Sequence, residues 1–335
     1  MASDLRSGSD IPLTVSVVIP TYNQAATLAA TLASVAGQSV APLEVVVVDD
    51  GSTDATPAVL AEVAETYPLP LVVRRQANAG PGPARDLGWR TASGQLIAYT
   101  DSDARPRGDW LAAALPYFED PGVAAVEGRV TAETDRAPTI WTHQVKNLFG
   151  GQFMTANMIY RRSAIAAVGG FKTRHREDSD LAFSVLEHQG KIVYAPRSVV
   201  EHPPREESLA FYFRVANRRR YEGALLRRHP TIAPRYVHRY QPTGALVVLG
   251  ELLILAGLFH WGWAATSLGL ALLLVGLPKR VLAWLDGRSY SYRDYLLVLI
   301  VSLALVPVEA WHRWLGMAVP PRPPKAVRSR GEEAD

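Results

Sequence analysis

The chain has 335 residues, of which 48% are hydrophobic, and it contains no cysteine. The lack of cysteine excludes disulfides, thiolate metal sites and cysteine nucleophiles, so any catalytic chemistry must use oxygen and nitrogen groups. A mean hydropathy of +0.02 is high for a wholly soluble protein, and the length suffices for two domains. The formal net charge is only +3, but nine arginines lie between Arg205 and Arg239, which indicates a phosphate or an anionic surface as partner.

Apolar runs of strand length alternate with helix-length stretches in the first two thirds of the chain. The polar first twelve residues contain no signal-peptide core, so we expect the following domain to stay in the cytoplasm. "TVSVVIP" and "LEVVVV" are β-branched runs typical of strands buried on both faces of a parallel sheet. Between them, Leu28, Leu32 and Val35 have helical spacing, and the helix is expected to end near Gly37. This order predicts an α/β fold whose ligands bind beyond the carboxyl ends of the strands.

Two acidic turns follow predicted strands at this edge. "DDGSTD" contains Asp49 and Asp50, and "YTDSD" contains Asp101 and Asp103. Each turn alone is also typical of a solvated turn or a helix cap. Between them lies the glycine- and proline-rich "NAGPGPARDLG", in which Arg85 stands near the start of a helix. Such a loop allows close backbone approach and supplies a cation suited to a phosphate, which favours a ligand site.

Seven motifs in order resemble those of the inverting family 2 glycosyltransferases and cover roughly residues 14 to 230. The motifs are "VSVVIPTYNQ", "VVVVDDGSTD", "NAGPGPARDLG", "YTDSDARP", "GGQFMTANMIYRRSAIAAVGGF", "EDSDLAFSVLEHQGKIVYAP" and "EHPPRE". The resemblance implies the GT-A nucleotide-sugar-binding fold, a mostly parallel sheet flanked by helices. It also implies transfer of a sugar from a nucleotide-diphosphate sugar with inversion at the reacting carbon.

The resemblance implies a nucleotide pocket next to a metal site. Pro20, Tyr22 and Asp50 are expected to line the pocket, with Tyr22 against the base and Asp50 accepting from a ring N–H. Asp49 is the alternative for that last role, and Arg85 is expected to hold the nucleotide or its phosphates.

The metal expected from the resemblance is Mg²⁺ or Mn²⁺, because a hard cation with oxygen ligands neutralises the leaving diphosphate. Asp103 is the expected direct ligand, and Asp101 is expected on the ribose or on a metal-bound water. His202 in "EHPP" matches the family position of a third ligand, although a lone histidine is usually structural.

Inversion requires a general base on the acceptor side, and "HREDSDLAFSV" offers three acids. Asp178 matches the base of the resembled family, and Glu177 is expected to contact the acceptor or to orient Asp178. Asp180 is a further candidate for that supporting role. The alternative is that these acids stabilise a helix N-terminus, which Asp180 in particular suits.

The chain departs from the processive polysaccharide synthases of this family. It lacks their Gln-x-x-Arg-Trp motif after the base, which argues for transfer of one sugar per acceptor. The nearest cluster contains Arg218, Arg219 and Arg220. We expect Arg218 and Arg220 to bind the diphosphate or an acceptor phosphate, while contact with lipid is an equal alternative for these arginines.

Apolar residues dominate beyond residue 240. The 37 residues from Pro242 to Pro278 carry one acidic group, Glu251, and at about 1.5 Å per residue they suffice for two compact spans of roughly 30 Å. The tryptophans of "HWGW" at the middle suit the far interface, which predicts a helical hairpin. Basic residues at both ends place the first domain in the cytoplasm. Glu251 is expected to face a helix partner or a polar headgroup pathway.

A third apolar segment has only 14 uncharged residues between Asp294 and Glu309. A span needs roughly 20, and Pro307 is expected to break the segment. Crossing would leave the basic tail outside, against the charge rule, so a re-entrant or tilted helix is the alternative. The proline-rich, charged tail is typical of disorder.

These features predict five parts and a multi-pass membrane enzyme. The parts are a disordered N-terminus (1–12), the catalytic domain (13–230), a basic juxtamembrane segment (231–241), a membrane region of two to three helices (242–317) and a disordered tail (318–335). The expected activity is a hexosyltransferase with its catalytic domain on the cytoplasmic side. Removal of everything after Gln241 is expected to release a soluble domain.

The expected donor is a UDP- or GDP-sugar, the acceptor is a membrane lipid or a lipid-linked saccharide, and no nucleic acid is expected as partner. An acid at Asp178 favours a hydroxyl acceptor, because a phosphate acceptor is already ionised. The alternatives are a polyprenyl-phosphate sugar synthase and a non-catalytic sugar-nucleotide-binding membrane protein, against which the intact Asp103, Asp178 and His202 argue. A nucleotidyltransferase would need a basic glycine-rich signature that "IPTYNQAATL" lacks.

Overall fold

The computed structural model describes residues 13–132, 137–237, 242–256, 262–284 and 291–318. The predicted disordered N-terminus and nearly all of the predicted disordered tail lie outside the described residues. The same holds for His238 and Arg239 of the juxtamembrane segment and for the first half of "HWGW".

The β-branched runs form the parallel half of the sheet. They are β1 (Val15–Thr21), β2 (Glu44–Asp49), β3 (Leu71–Arg75) and β4 (Leu96–Tyr99). β1 lies between β2 and β4 and is parallel to both, and β3 continues the sheet beyond β2. Every residue of β2 and β4 is buried, whereas β3 is the partly exposed edge. The predicted buried strands are therefore confirmed.

Helices cover both faces of these strands. They are α1 (Leu28–Ala36), α2 (Thr56–Thr66) and α3 (Pro81–Thr91). Successive residues of β1 point to opposite faces, so Val17 packs in the cluster that contains α1 and Val18 in the cluster that contains α3. α3 approaches β1 closely, because a Cβ at Gly88 would overlap the Val18 side chain. As the spacing predicts, α1 ends near Gly37: its last residue is Ala36, and Gly37 is the C-cap.

The second half of the domain extends the sheet in mixed directions. Its strands are β5 (Arg105–Pro106), β6 (Val123–Thr131), β7 (Thr142–His143), β8 (Met158–Arg161), β9 (Lys191–Glu201) and β10 (Arg205–Glu206). Its helices are α4 (Trp110–Ala114), α5 (Arg162–Val168), α6 (Glu177–Glu187), α7 (Leu209–Asn217), α8 (Arg219–Arg228) and α9 (Ala233–Val237). The main sheet has the order β3-β2-β1-β4-β8-β6-β9-β5, and β7 pairs with β10 separately. β8 joins the two parallel blocks, since it is antiparallel to both β4 and β6.

Three helices follow: α10 (Pro242–Ala256), α11 (Gly262–Trp284) and α12 (Tyr292–Ala318). Among the described helices, only α12 is long and apolar enough to cross a membrane by length and composition. α10 and α11, the two helices of the predicted hairpin, pack on each other, but their apolar stretches, Leu246–Ala256 and Ala265–Gly276, are short. The described helices therefore do not support the multi-pass prediction.

The expectation that Pro307 breaks the third segment is wrong. Pro307 lies inside α12, which continues for 27 residues, and Pro278 likewise lies inside α11 rather than at its end. A proline removes one backbone hydrogen bond and clashes with the preceding turn, but packing against neighbouring helices can hold such a helix together. α12 has these neighbours in α7, α8, α10 and α11.

The last part of α12 is docked on the catalytic domain through α8. The helices meet at two glycines: a Cβ at Gly316 would overlap the Arg220 carbonyl oxygen, and one at Gly223 would overlap backbone of α12. Arg313 Nη2 donates to Glu222 Oε2 at 2.9 Å across the same contact. The predicted boundary at residue 230 therefore separates segments that pack together. Truncation after Gln241 would remove α12 and expose this face of α8.

A buried histidine joins α8 to α6 and predicts a pH-dependent stability. His229 Nδ1 lies 2.8 Å from Glu187 Oε2, and Nε2 lies 3.1 Å from Asp180 Oδ1, which Arg228 also contacts at 3.0 Å. Burial lowers the pKa of His229, but the carboxylates of Asp180 and Glu187 outweigh it and raise the pKa above its ordinary value. The resulting stability is fully present below the unfolded-state pKa of about 6.5 and is lost as pH rises through the folded-state pKa.

We therefore expect the melting temperature of wild type to exceed that of His229→Gln most at about pH 6, and the difference to shrink towards about pH 9. Thermal unfolding followed by circular dichroism over this range measures it. A difference that stays constant with pH would contradict the assignment.

Candidate active site

The loops after β1 and β2 are tied together at the carboxyl edge of the sheet. Asn23 Oδ1 accepts from the backbone N–H groups of Thr53 (2.8 Å) and Asp54 (3.3 Å), and Asn23 N donates to Ser52 Oγ at 2.9 Å. These bonds bring the end of β1 and Tyr22, which follows it, beside "DDGSTD". The Tyr22 side chain is 45% exposed, so its ring is free for a planar ligand.

The two acids of "DDGSTD" have different surroundings. Asp50 is buried and accepts three hydrogen bonds, from Gln76 Nε2 (2.7 Å) and from the backbone of Ala79 and Gly80 (2.8 Å each). Its carboxylate thus holds the glycine-rich loop that leads into α3. Asp49 Oδ1 accepts from Ser52 N at 2.8 Å, while its other oxygen lies 3.4 Å from Arg75 Nη1 and has no hydrogen bond. The Asp50 carboxylate therefore accepts more hydrogen bonds from the protein than the Asp49 carboxylate does.

Arg85 bridges two acidic motifs that are distant in sequence. Its buried guanidinium donates from Nη2 to Asp101 Oδ1 at 2.7 Å and from Nη1 to Glu177 Oε1. The glycine-rich loop packs closely here, because a Cβ at Gly82 would overlap the Thr173 carbonyl oxygen. The turn after β4 and the start of α6 are therefore joined through one side chain.

Asp101, Asp103 and His202 form a cluster whose ligand atoms all lie within 4.8 Å of one another. His202 Nε2 lies 3.3 Å from Asp103 Oδ1 and 3.9 Å from Asp101 Oδ2. The histidine follows β9, and its backbone N–H donates to the Thr131 carbonyl of β6 at 2.7 Å, which fixes its position. Two carboxylates and one imidazole fit Mg²⁺ or, better, Mn²⁺, which accepts nitrogen as well as oxygen ligands.

The electrostatics of the cluster match a site for a cation. Burial lowers the pKa of the His202 imidazole, but Asp103 and Asp101 outweigh it and raise the pKa above its ordinary value. Burial raises the pKa of Asp103, but His202 and Arg205 outweigh it and lower the pKa below its usual range. Asp103 is thus ionised at neutral pH, as a metal ligand must be.

Glu177 and Asp178 begin α6, next to this cluster. Arg176 before them has a φ of +58°, which turns the chain sharply into the helix. Burial raises the pKa of Glu177 to about 7, with Arg85 opposing and Asp178 adding to the rise. Asp178 is half-buried, and its Oδ1 accepts from Ser179 N at 2.6 Å. An accessible carboxylate at this place can accept a proton.

Asp180 lies apart from these groups. Its buried Oδ1 contacts His229 and Arg228, so it links α6 to α8 rather than supporting Asp178 by a direct contact. This agrees with the structural alternative stated for Asp180.

The three arginines around the start of α8 separate into two kinds. Arg219 pairs with Glu222 and lies 3.8 Å from Glu309, so it belongs to the contact with α12. Arg218 and Arg220 are exposed. Burial, then Arg218, Arg174 and Arg220, lower the pKa of His175 to about 4, which indicates a cationic surface close to the start of α6. The predicted phosphate-binding pair therefore lies near Asp178's helix and remains a prediction.

Sequence reasoning missed Glu127, which shapes the site edge. Its buried carboxylate accepts from Asn147 Nδ2 (2.8 Å) and from the backbone N–H groups of Gly151 (2.7 Å), Gln152 (2.9 Å) and Phe153 (2.6 Å). These bonds hold the loop before β8, which begins beside the end of β4. The available signal was one acid inside the apolar strand "VAAVEGRV".

Sequence reasoning also missed Arg205. Arg205 Nη1 donates to Asp103 Oδ2 at 2.7 Å, so this arginine belongs to the acidic cluster. The available signal was its place three residues after His202 within "EHPPRE".

Residues 16–180 match the protein family described as "Glycosyl transferase family 2". The chain carries a family 2 glycosyltransferase domain. The predicted family is confirmed, and the domain contains the acidic turns, Arg85 and the start of α6.

Two curated relatives of this glycosyltransferase domain are longer proteins. The "Pre-mycofactocin glycosyltransferase" of Mycobacterium tuberculosis is 30% identical over 294 residues, 83% of this chain and 57% of the relative. The "Beta-monoglucosyldiacylglycerol synthase" of Synechocystis sp. is 32% identical over 182 residues, 49% of this chain and 37% of the relative. The chain thus spans less than two thirds of the length of either relative.

The fold is shared with a solved glycosyltransferase. "Mannosyltransferase PcManGT from Pyrobaculum calidifontis in complex with GDP-Man and Mn2+" superposes with a TM-score of 0.64 at 22% identity, covering 91% of this chain and 88% of that chain. The predicted GT-A fold is thereby confirmed.

Proposed function

We propose that this protein is a metal-dependent inverting glycosyltransferase. It moves one sugar, a hexose, from a UDP- or GDP-sugar to a membrane-associated lipid or lipid-linked saccharide at the cytoplasmic face of a membrane. The observation that carries the proposal is the single connected site in which Asp101, Asp103 and His202 converge and Arg85 joins Asp101 to Glu177, beside Asp178.

The donor set supports a divalent cation, Mg²⁺ or Mn²⁺. Asp103 and His202 would hold it, with Asp101 on the ribose or on a metal-bound water. A cation held by these residues would supply positive charge that neutralises the leaving diphosphate. PcManGT was solved with Mn²⁺ and GDP-Man, which supports the same combination here. Tyr22 and Pro20 would line the base, and Asp49 or Asp50 would accept from a ring N–H.

Asp178 acts as the general base in this proposal. The acceptor hydroxyl attacks the reacting sugar carbon on the face opposite the diphosphate, the bond from that carbon to the diphosphate oxygen breaks, and the hydroxyl proton passes to Asp178. Glu177 positions this region, because its ion pair with Arg85 ties the start of α6 to the turn that carries Asp101.

The C-terminal helices support an acceptor at a membrane. α12 is apolar over a membrane-spanning length, and the exposed rings of Trp311 and Trp314 stack with their centroids 5.1 Å apart near its end. Tryptophans are enriched at membrane interfaces, so they would mark where α12 leaves the lipid beside α8. The Synechocystis relative is named for a glucosylated diacylglycerol, which supports a lipid hydroxyl as acceptor.

A polyprenyl-phosphate sugar synthase is the second candidate. The exposed Arg218 and Arg220 near the start of α6 favour it, because guanidinium groups bind phosphate well.

Nucleotide binding and product extraction test the proposal together. The full chain in detergent is expected to melt at a higher temperature with UDP or GDP only when Mn²⁺ is present. Glucose- and mannose-labelled donors of the stabilising nucleotide are then supplied with diacylglycerol or undecaprenyl phosphate in bicelles, and labelled lipid is extracted. Absence of stabilisation by either nucleotide with Mn²⁺ would refute the proposal, and the labelled lipid separates its two candidates.

A further inference from the structure

Arg205 makes an ion pair with Asp103, one of the two carboxylates of the candidate metal cluster. Its Nη1 donates to Asp103 Oδ2 at 2.7 Å, while the other oxygen of the same carboxylate faces His202 at 3.3 Å. The Arg205 side chain is 46% exposed and that of Asp103 is 12% exposed. The guanidinium is therefore more accessible to solvent than the carboxylate that it contacts.

The backbone of Arg205 is fixed, whereas the end of its side chain is accessible. β10 pairs with β7, so that Arg205 opposes His143. The next residue, Glu206, accepts from the Thr139 hydroxyl at 2.6 Å and from the Thr142 hydroxyl. Glu207 N also donates to the Trp141 carbonyl at 3.0 Å. These contacts hold β10 beside the cluster and leave the long Arg205 side chain able to exchange partners.

Arg205 differs from the other arginine of the cluster. Arg85 is buried and already bridges Asp101 and Glu177, so its two terminal nitrogens are committed to protein carboxylates. A divalent cation on Asp103 would compete with Arg205 for the same carboxylate, because both are positive. The displaced guanidinium would then need another anion. A diphosphate held at the same cation presents oxygens that match the guanidinium fork.

We propose that Arg205 is a diphosphate-binding residue. It pairs with Asp103 while the nucleotide is absent and donates to the terminal phosphate of the nucleoside diphosphate when a divalent cation occupies the cluster. This inference rests on the proposed function and adds a residue to its donor site.

Comparison of nucleoside diphosphates with monophosphates tests this role, since only the former carry the terminal phosphate. Calorimetric titrations of the full chain with UDP, GDP, UMP and GMP in Mn²⁺ are made on wild type, Arg205→Gln and Arg205→Lys. Arg205→Gln is expected to weaken diphosphate binding by about tenfold or more and monophosphate binding by less than about twofold. Arg205→Lys keeps the charge but loses the guanidinium fork. Its affinity for diphosphates is expected to lie between those of wild type and Arg205→Gln.

The matched control is Arg90→Gln. Arg90 makes an ion pair of the same 2.7 Å length with Asp86 on α3, and its side chain is 53% exposed. This variant is expected to bind both nucleotide classes as wild type does. Mn²⁺ binding to Arg205→Gln without nucleotide, followed by electron paramagnetic resonance, is expected to be unchanged or tighter, because a competing cation has been removed.

The outcomes separate the two proposals. If wild type binds a diphosphate with Mn²⁺ and Arg205→Gln binds it equally well, the role of Arg205 is refuted and the proposed function stands. An equal loss of diphosphate and monophosphate binding also refutes it, because the effect would not depend on the terminal phosphate. If wild type binds neither diphosphate, the proposed function fails and the role of Arg205 fails with it.

Discussion

Replacement of Asp178 by asparagine is expected to lower sugar transfer by about 10²- to 10⁴-fold while donor binding stays within about twofold. The amide oxygen can still accept from Ser179 N, as the Asp178 carboxylate does at 2.6 Å, so the start of α6 should keep its shape. The amide cannot take the proton of an acceptor hydroxyl at neutral pH. The loss should therefore appear in the turnover rate and not in the affinity for the nucleotide sugar.

Asp180→Asn is the informative control for Asp178→Asn, because it is the same change two residues away. Asp180 is buried against His229 and Arg228, so its replacement is expected to lower the melting temperature and to spare transfer per folded molecule. Radiolabelled transfer and thermal unfolding measured on both variants distinguish the two roles. Near-normal transfer to diacylglycerol by Asp178→Asn would remove the base assignment. Loss with diacylglycerol but not with undecaprenyl phosphate would instead favour the phosphate-acceptor candidate.

The contrast between Asp178 and Asp180 shows what local sequence can predict. The pattern after "HRED" predicts a helix start with acids in its first turn, and α6 begins at Glu177. Residues two apart on a helix face different sides, so the two acids had to have different surroundings. Which side faces the acidic cluster depends on Arg85, 92 residues earlier than Glu177, and on α8. Local patterns do not carry that information.

Strands and their end loops were the most predictable parts of this protein. An uncharged apolar run followed by acids is typical of a buried strand that ends at the ligand-binding edge of a sheet. β2 and β4 are buried strands of this kind. Arg205 and Glu127 were missed for a different reason. Their contacts join β10 to the turn after β4 and β6 to the loop before β8, and sequence spacing contains no sign of them.

The C-terminal helices also depend on contacts between distant segments, which local sequence patterns do not predict. Hydropathy treats the segment after Asp294 as an isolated span and counts Pro307 against it. In the structure α12 continues through Pro307, because it has packing partners along its length. The contact of Gly316 with α8 requires two glycines, and Gly223 stands far away in the sequence. Pairs of small residues that meet in this way become visible only once both helices are positioned.

Replacement of Asp103 by asparagine is expected to weaken Mn²⁺-dependent nucleotide binding by at least about 100-fold and to abolish measurable transfer. Asp103 is the one residue that contacts both His202 (3.3 Å) and Arg205 (2.7 Å) in the acidic cluster. Its neutral replacement removes an anionic ligand and leaves two basic side chains facing the site without their shared partner. Both changes oppose the binding of a divalent cation. The loss of binding should exceed that for Asp101→Asn, because the Asp101 carboxylate is already paired with Arg85.

Asp120→Asn supplies the comparison for a carboxylate outside the site. Asp120 makes an exposed ion pair with Lys191 at 3.1 Å, so its replacement should leave Mn²⁺ and nucleotide binding unchanged. Calorimetric titration with Mn²⁺ and with nucleoside diphosphate, together with transfer assays in EDTA, measures the difference. Wild type that transfers sugar at full rate in EDTA would refute a metal at Asp103. If wild type requires Mn²⁺ but Asp103→Asn binds it normally, the cation lies elsewhere, and the Asp101–Asp103–His202 cluster cannot be the group that faces the leaving diphosphate.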